Sequence, residues 1–437
     1  MNRRSFLRAG AVAGGALATR PFRALDVLAS VDARIPIRRA PDNGGYGPLR
    51  PAGHHLDLPA GFRYVALAPE GSPMSNGAPT PPGHDGMAAF RGPGGLVRLV
   101  RNHEVDGRHD PFGSHPYDPA GGGGTVNLVF DARAGRLLSS HPTLTGTLKN
   151  CSGGPTPWGT WLSCEEGTEG EADGFTRPHG YCFEVPAAAV APVDPEPIRG
   201  MGRFYHEAVC VDPRTGDVYE TEDRDTAGFY RFRPRIRRKL RAGGSLQMLA
   251  VDGRPGFDTR RGQERGRDLP VRWVDIPDPD PLDAARNPLA VFEQGRARGG
   301  ATFARLEGCW WHRGRAVLVS TTGGDAGVGQ VWEYRPGPGG GRLSLRFESP
   351  SPDLIRQPDN VTATPRGGLL LCEDGPGGDR LCGLTPDGQI FVLARNRFSE
   401  GEFAGTTFSP DGRWLFVNVQ HPGMTFAVTG PWGRGSL

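Results

Sequence analysis

The chain has 437 residues, with 51 Lys and Arg against 48 Asp and Glu, for a formal charge of +3. That near balance gives no general attraction for polyanions, and no basic run carries the interleaved aromatics that single-stranded nucleic acid prefers, so no nucleic-acid partner is expected. Gly at 67, Pro at 42 and a hydrophobic fraction of 37% disfavour long helices and favour many short strands joined by turns.

The first predicted element in the chain is a leader. Arg3 and Arg4 precede Ser5-Phe6-Leu7 and a weakly apolar run from Ala9 to Ala18. This pattern predicts a twin-arginine signal peptide over residues 1–30 and passage through the twin-arginine translocation machinery, which exports folded proteins. The expected location is therefore periplasmic or secreted. No later stretch reaches the roughly 18 apolar residues of a membrane span, so no stable membrane insertion is expected.

From there the chain repeats one unit: polar residues, a short apolar strand, a turn, a second strand, polar residues again. It reads HDGMAAFRGPGGLVRLVRNHE at 84–104, NCSGGPTPWGTWLSCEE at 150–166 and HEAVCVDPRTGDVYETED at 206–223. It returns as EGCWWHRGRAVLVSTTGGD at 307–325, DNVTATPRGGLLLCED at 359–374 and AGTTFSPDGRWLFVNVQHPG at 404–423. Pro fixes one turn dihedral, Gly accepts positive φ and Asp bonds its own backbone, so each unit predicts a hairpin whose two polar ends lie together. Repetition of such hairpins at spacings of about 45 to 100 residues predicts radially arranged sheets. The expected fold is all-β: a six-bladed β-propeller over residues 31–437, a single domain, with a metal cluster in its central channel. The alternatives are a β-sandwich or a large irregular barrel. The intervals 167–205 and 225–300 are rich in Arg, Gly and Pro, and the basic run RPRIRRKLRAGG within the second is expected to be a solvated loop face.

The polar ends collect His84, Asp85, His103, Glu104, Asn127, Cys151, Glu165, Glu166, His206, Glu207, Glu220, Glu222, Asp223, Glu307, Asp359, Asn360, Glu373, Asp374 and His421. So many carboxylates in one channel would repel unless cations neutralise them. Their oxygens suit calcium or magnesium; a thiolate and imidazoles add an iron- or zinc-like ion. The seven cysteines are mostly in apolar strands and read as small buried hydrophobes; Cys151 stands out because it lies in a Gly-Pro loop. Arg305, two residues before Glu307, is a candidate phosphate clamp.

These motifs resemble the PhoX-type alkaline phosphatase family. The resemblance rests on HDGMAAF, RNHE, GGTVNLV, NCSGG, PWGTWLSCEE, HEAVCVDP, ETED, ARLEG, QPDNVTATPRGGLLLCEDG and FAGTTFSPDGRWLFVNVQHPG, spread over about residues 55 to 430. It implies a six-bladed propeller holding Ca2+ and Fe3+, and hydrolysis of a small-molecule phosphate ester outside the cytoplasm. Carried over by motif, Cys151 would be a thiolate ligand to iron, and Glu222, Glu307, Asp359 and Asn360 would be metal ligands, with Glu166, Glu207 and Glu373 added. The assignments of Glu220 and Glu222 are interchangeable. Arg305 would hold the phosphate, and Asn127 would contact it or a metal. Two other readings of the same residues are a calcium-dependent propeller lactonase or esterase, and a non-catalytic, metal-stabilised propeller that binds a partner.

Overall fold

The computed structural model describes residues 37–375 and 379–437. The expected export signal lies outside those residues. The architecture is all-β and propeller-like, with five hydrogen-bonded sheets and one helix of more than a turn, Ala290–Ala297.

Six strands begin the successive hairpins: β1 (His84–Arg91), β2 (Asn150–Pro155), β3 (His206–Val211), β4 (Leu306–His312), β5 (Pro358–Ala363) and β6 (Phe403–Phe408). Each is the edge strand of its sheet, and each packs on the next, with β6 returning to β1. From β1, Leu96–His103, Gly123–Asp131 and Arg136–Thr147 follow outward in order; from β2, Thr160–Glu165 and Cys182–Pro186. The sheets that start at β3 and β4 meet at their outer edges, where Asp268–Pro270 pairs with Arg342–Ser344, and so form one nine-stranded sheet. The β6 sheet is completed by Arg63–Leu67, which comes from the other end of the chain and pairs with Met424–Thr429. Strands from the N-terminal and C-terminal regions therefore share one sheet, with Arg63–Leu67 at its outer edge.

The turns behave as their residues dictate. Asp212 Oδ1 accepts the Arg214 N–H at 2.8 Å and Gly216 takes φ +82°. Ser409 Oγ donates to Asp411 Oδ1 at 2.6 Å before Gly412 at φ +69°. Apolar side chains fill the spaces between neighbouring sheets. Leu370, Cys372 and Leu393 pack against Leu415, Val417 and Phe426, and the rings of Phe130 and Phe416 meet edge to face at 5.1 Å. Because strands such as Val218–Glu222 and Leu415–Val419 are buried on both faces, they lack a strict alternation of apolar and polar residues. In the basic run, Arg235, Arg237, Arg238 and Lys239 are exposed, as a solvated loop face requires.

Candidate metal centre

All six inner strands share one irregularity. In β1, His84 lies opposite His103 and Met87 opposite Arg101, so three steps on the inner strand match two on its neighbour. The same extra residue occurs after Asn150, His206, Leu306, Pro358 and Ala404. A β-bulge re-aims the side chain that it carries. The first bulged residues are Asp85, Cys151, Glu207, Glu307, Asp359 and Gly405.

Five of these six therefore carry a ligand atom, and they converge. Donor atoms of Asp85, Glu104 and Cys151 lie within 4.8 Å of one another, as do those of Cys151, Glu166 and Glu207, and those of Glu207, Glu307 and Asp359. Shared members link the three groups into one chain of donors running from β1 to β5. Close backbone approach makes this possible: a Cβ on Gly86 would stand 2.5 Å from Ser152 Cα. The Asn102 amide donates to Cys151 O at 3.2 Å and Ser152 O at 2.6 Å, which pins the β2 bulge.

The polar pairs at the far ends of the hairpins split by strand alternation. Glu104, Glu166, Asp223 and Asp374 face the cluster or its rim, as the contacts below describe. The residues just before them are held elsewhere. Glu165 accepts from Leu148 N, Gly180 N and Tyr181 N and pairs with His179 Nδ1 at 2.6 Å. Glu222 accepts from Gly228 N at 2.8 Å and the Tyr230 hydroxyl at 2.7 Å. Glu373 is gripped by Arg380, at 2.5 and 2.7 Å, and by the Arg356 N–H. His103 faces Pro82 O and Arg101. Of the residues expected at the site, the structure thus gathers Cys151, Glu166, Glu207, Glu307 and Asp359. Asn360 sits beside them, donating to Asp359 Oδ1 at 2.9 Å and accepting from Gly405 N at 2.7 Å. Glu222, Glu373 and Asn127 are not gathered. Asn127 lies in mid-strand, and its amide donates to Pro186 O and Ala189 O at 3.0 Å.

Two cations stand at the rim. Asp223 takes Arg305 Nε at 3.0 Å and Nη2 at 3.1 Å, and Nη2 also reaches Glu307 Oε1 at 2.6 Å. Arg305 Nη1 is left 4.0 Å from Asp374 Oδ2, beyond hydrogen-bonding distance. Lys149 Nζ lies 3.0 Å from Glu166 Oε2 and 3.9 Å from Glu104 Oε1. Gln420 bridges Asp85 and Glu104.

This charge balance is short of cations. Burial, with neighbouring carboxylates, holds Asp85, Glu207 and Glu307 well above the usual carboxylate range. Burial and the nearby Asp374 charge push Asp359 up to about 7. Burial and Asp85 raise the Cys151 thiol. Neither Glu207 oxygen has a hydrogen-bond partner among the described residues. An unpartnered buried carboxylate amid other acids is costly unless protons or cations compensate it, and this donor set suits cations.

The family model described as alkaline phosphatase PhoX matches residues 44–122 and 119–423. The chain belongs to the alkaline phosphatase PhoX family. It is thereby a member of a phosphoester hydrolase family. Among solved structures, Pseudomonas fluorescens PhoX in complex with vanadate, a transition-state analogue, is similar with a TM-score of 0.66 at 17% identity, over 89% of this chain and 98% of that one. At that identity the likeness speaks for the fold. A gluconolactonase from Xanthomonas campestris matches with a TM-score of 0.41 at 14% identity, over 87% of this chain and 99% of that one. No curated protein matches the chain.

Asp85 and Glu104 stood in the collected set of polar ends but were not assigned as ligands from the sequence, and Lys149 and Gln420, which touch the same cluster, were not singled out at all. Asp85 was within reach: aligning the six hairpins on their first strands puts it in the same column as Cys151, Glu207, Glu307 and Asp359. Lys149 and Gln420 lie outside the repeated columns and carry no such signal.

Proposed function

We propose that this chain is an exported phosphomonoesterase working at a calcium and iron centre in a six-bladed propeller. The observation that carries the reading is the repeated bulge, which aims Asp85, Cys151, Glu207, Glu307 and Asp359 at one another beneath a tethered Arg305. Six inner strands with one shared irregularity support six blades, the nine-stranded sheet counting as two joined at their outer edges. The paired Arg3-Arg4 leader supports twin-arginine export to the periplasm or medium. Among the described residues no helix is long and apolar enough to cross a membrane.

In this reading Glu207, Glu307, Asp359 and Glu166, with Asn360 at the edge, hold Ca2+ through oxygen, and Cys151 holds Fe3+ through sulfur. Bound cations would supply Lewis-acid neutralisation of the phosphate oxygens. The chain's own residues do the rest. Asp223 fixes the Arg305 guanidinium through two nitrogens, so Nη1 is presented to a phosphate oxygen without further ordering. Lys149 brings a second positive charge to the rim. Glu207, Glu307 and Asp359 are buried, which would strengthen their interactions with a bound cation.

The test is hydrolysis of a chromogenic phosphate monoester at alkaline pH by the exported, calcium-supplied protein, with vanadate as a competing ligand. Turnover that vanadate suppresses and that Glu307→Gln abolishes supports the proposal. Metal-loaded protein without turnover would sink it, and lactone hydrolysis that persists in Cys151→Ser would replace it with the lactonase reading.

A further inference from the structure

A second set of metal-ligating side chains lies away from the channel, in the apolar core between the sheet of β2 and that of β3. Cys164 and Cys182 face each other on paired strands. His206 opens β3, and Glu220 sits on the neighbouring strand Val218–Glu222. Alternation along β3 sends Glu207 into the channel and His206 to the opposite side, so one hairpin serves both places.

Donor atoms of Cys182, His206 and Glu220 lie within 4.8 Å of one another, and Cys164 adjoins the group through Cys182. Cys182 Sγ is 3.4 Å from His206 Nδ1 and 3.4 Å from Cys164 Sγ, and His206 Nδ1 is 3.4 Å from Glu220 Oε2. With Zn–S of about 2.3 Å and Zn–N or Zn–O of about 2.0–2.1 Å, the edges of a tetrahedron are about 3.3–3.8 Å. The sulfurs are too far apart for a disulfide, which needs about 2.05 Å. His206 Nε2 lies 3.1 Å from Gly202 O, and a carbonyl can only accept, so Nε2 carries a hydrogen. The neutral ring then turns the Nδ1 lone pair toward Cys182 and Glu220, the arrangement seen where a backbone carbonyl orients a metal-bound imidazole. The Phe204 ring stacks on His206 at 3.7 Å and fixes its plane.

The second, independent observation is Glu220 itself. It is fully buried, on the strand whose Val218 and whose partner Tyr230 belong to that apolar core, and neither carboxylate oxygen has a hydrogen-bond partner among the described residues. A hydrophobic core does not keep a carboxylate without something to neutralise it.

We propose that Cys182, His206 and Glu220, with Cys164 as fourth ligand, bind a structural transition-metal ion, zinc by donor type, separate from the channel centre. Two sulfurs, one imidazole nitrogen and one carboxylate select against calcium and magnesium, and with Cys164 drawn in as the fourth ligand they would leave no open position for substrate. The site ties the second sheet to the third, so its role is to hold two sheets in register beneath the channel.

The test uses the full chain stripped of metal and reloaded with Co2+, whose thiolate charge-transfer band reports sulfur ligation. The background is Cys151→Ser, so that the channel thiol is silent. The band should persist in Cys151→Ser and vanish when Cys182→Ser is added, and zinc-loaded protein should lose about one equivalent of metal per chain. Should the double variant fail to fold, Glu220→Gln in the Cys151→Ser background should lower zinc affinity at least about tenfold in a chelator competition. A Cys164–Cys182 disulfide in the exported protein overturns the proposal. So does a cobalt band that is absent in Cys151→Ser or unmoved by Cys182→Ser, or a zinc affinity unmoved by Glu220→Gln.

Discussion

Asp359 offers the most direct test of a cation-starved cluster. Its carboxyl is buried and rises from 3.8 to about 7, through burial first and the Asp374 charge second. The folded state therefore holds this proton more tightly than the unfolded chain. Stability from this group is complete below about pH 4 and is lost as pH rises toward about 7. The shift is about three pH units, or about 4 kcal/mol at 1.36 kcal/mol per unit. Somewhat under two of those units fall between pH 5 and 7, so chelator-treated protein should lose about 2 kcal/mol over that interval from Asp359. Asp359→Asn removes the titration. Without metal, the variant should melt several degrees higher than the parent at pH 8, although it has lost a ligand. With calcium and iron added, the proposed centre predicts the reverse order, because bound cations would neutralise the parent's carboxylate. Thermal unfolding at pH 5 and pH 8, with and without chelator, reads all of this. A metal-free parent as stable at pH 8 as at pH 5, with Asp359→Asn no better, would refute the claim that uncompensated charge dominates the channel.

Other perturbations test other parts. Arg305→Lys keeps the charge but not the fork that Asp223 holds through two nitrogens. It should cut kcat/KM for a phosphate monoester by about 10- to 100-fold with metal content unchanged, and parity with the parent would remove Arg305 from the site. Glu373→Gln leaves the Arg380 guanidinium without its buried partner, at 2.5 Å in the parent. It should cost about 3 kcal/mol in denaturant unfolding while bound metal stays constant, whereas a specific loss of one metal would make Glu373 a ligand after all. Gly405 has φ +59°, and a Cβ there would lie 2.3 Å from Asp85 O. Gly405→Ala should push the β1 bulge away and lower both melting temperature and phosphatase activity, and an unchanged melting temperature would contradict this close approach.

The hairpins were legible because turns are local. Asp212-Pro213-Arg214-Thr215-Gly216 needs nothing beyond its own residues to reverse the chain, and it sits where its chemistry says. Which acids the structure gathers was only half legible, because a bulge has no signature within one hairpin. Whether Glu165 or Glu166 faces the channel depends on where the register slips, and one residue of slip exchanges the two faces. Hence Glu222 and Glu373 looked equivalent to Glu166 in the sequence, although Tyr230 and Arg380 hold them in the walls. Asn127 was drawn in by its motif, yet Pro186 O at the end of the strand Cys182–Pro186 and Ala189 O just beyond it claim its amide, a partnership no local pattern announces.

The same slip explains why one short hairpin can serve two chemistries. In β3, His206 and Glu207 are adjacent, yet one faces a sulfur-containing pocket in the core and the other the acid-lined channel. Each placement depends on the other. A register shift that turned Glu207 inward would turn His206 outward, leaving Glu220 buried without its neighbour and breaking the donor chain between Cys151 and Glu307. The β3 bulge is therefore held from both sides, by the packing of the Phe204 ring on His206 and by Thr221, whose hydroxyl donates to Glu307 O at 2.6 Å across to β4. That cross-sheet bond fixes the spacing between Glu207 and Glu307, the two donors that with Asp359 make the most acidic stretch of the channel. The function of the centre thus rests on backbone register set in the core, and residues that touch no ligand decide which carboxylates meet.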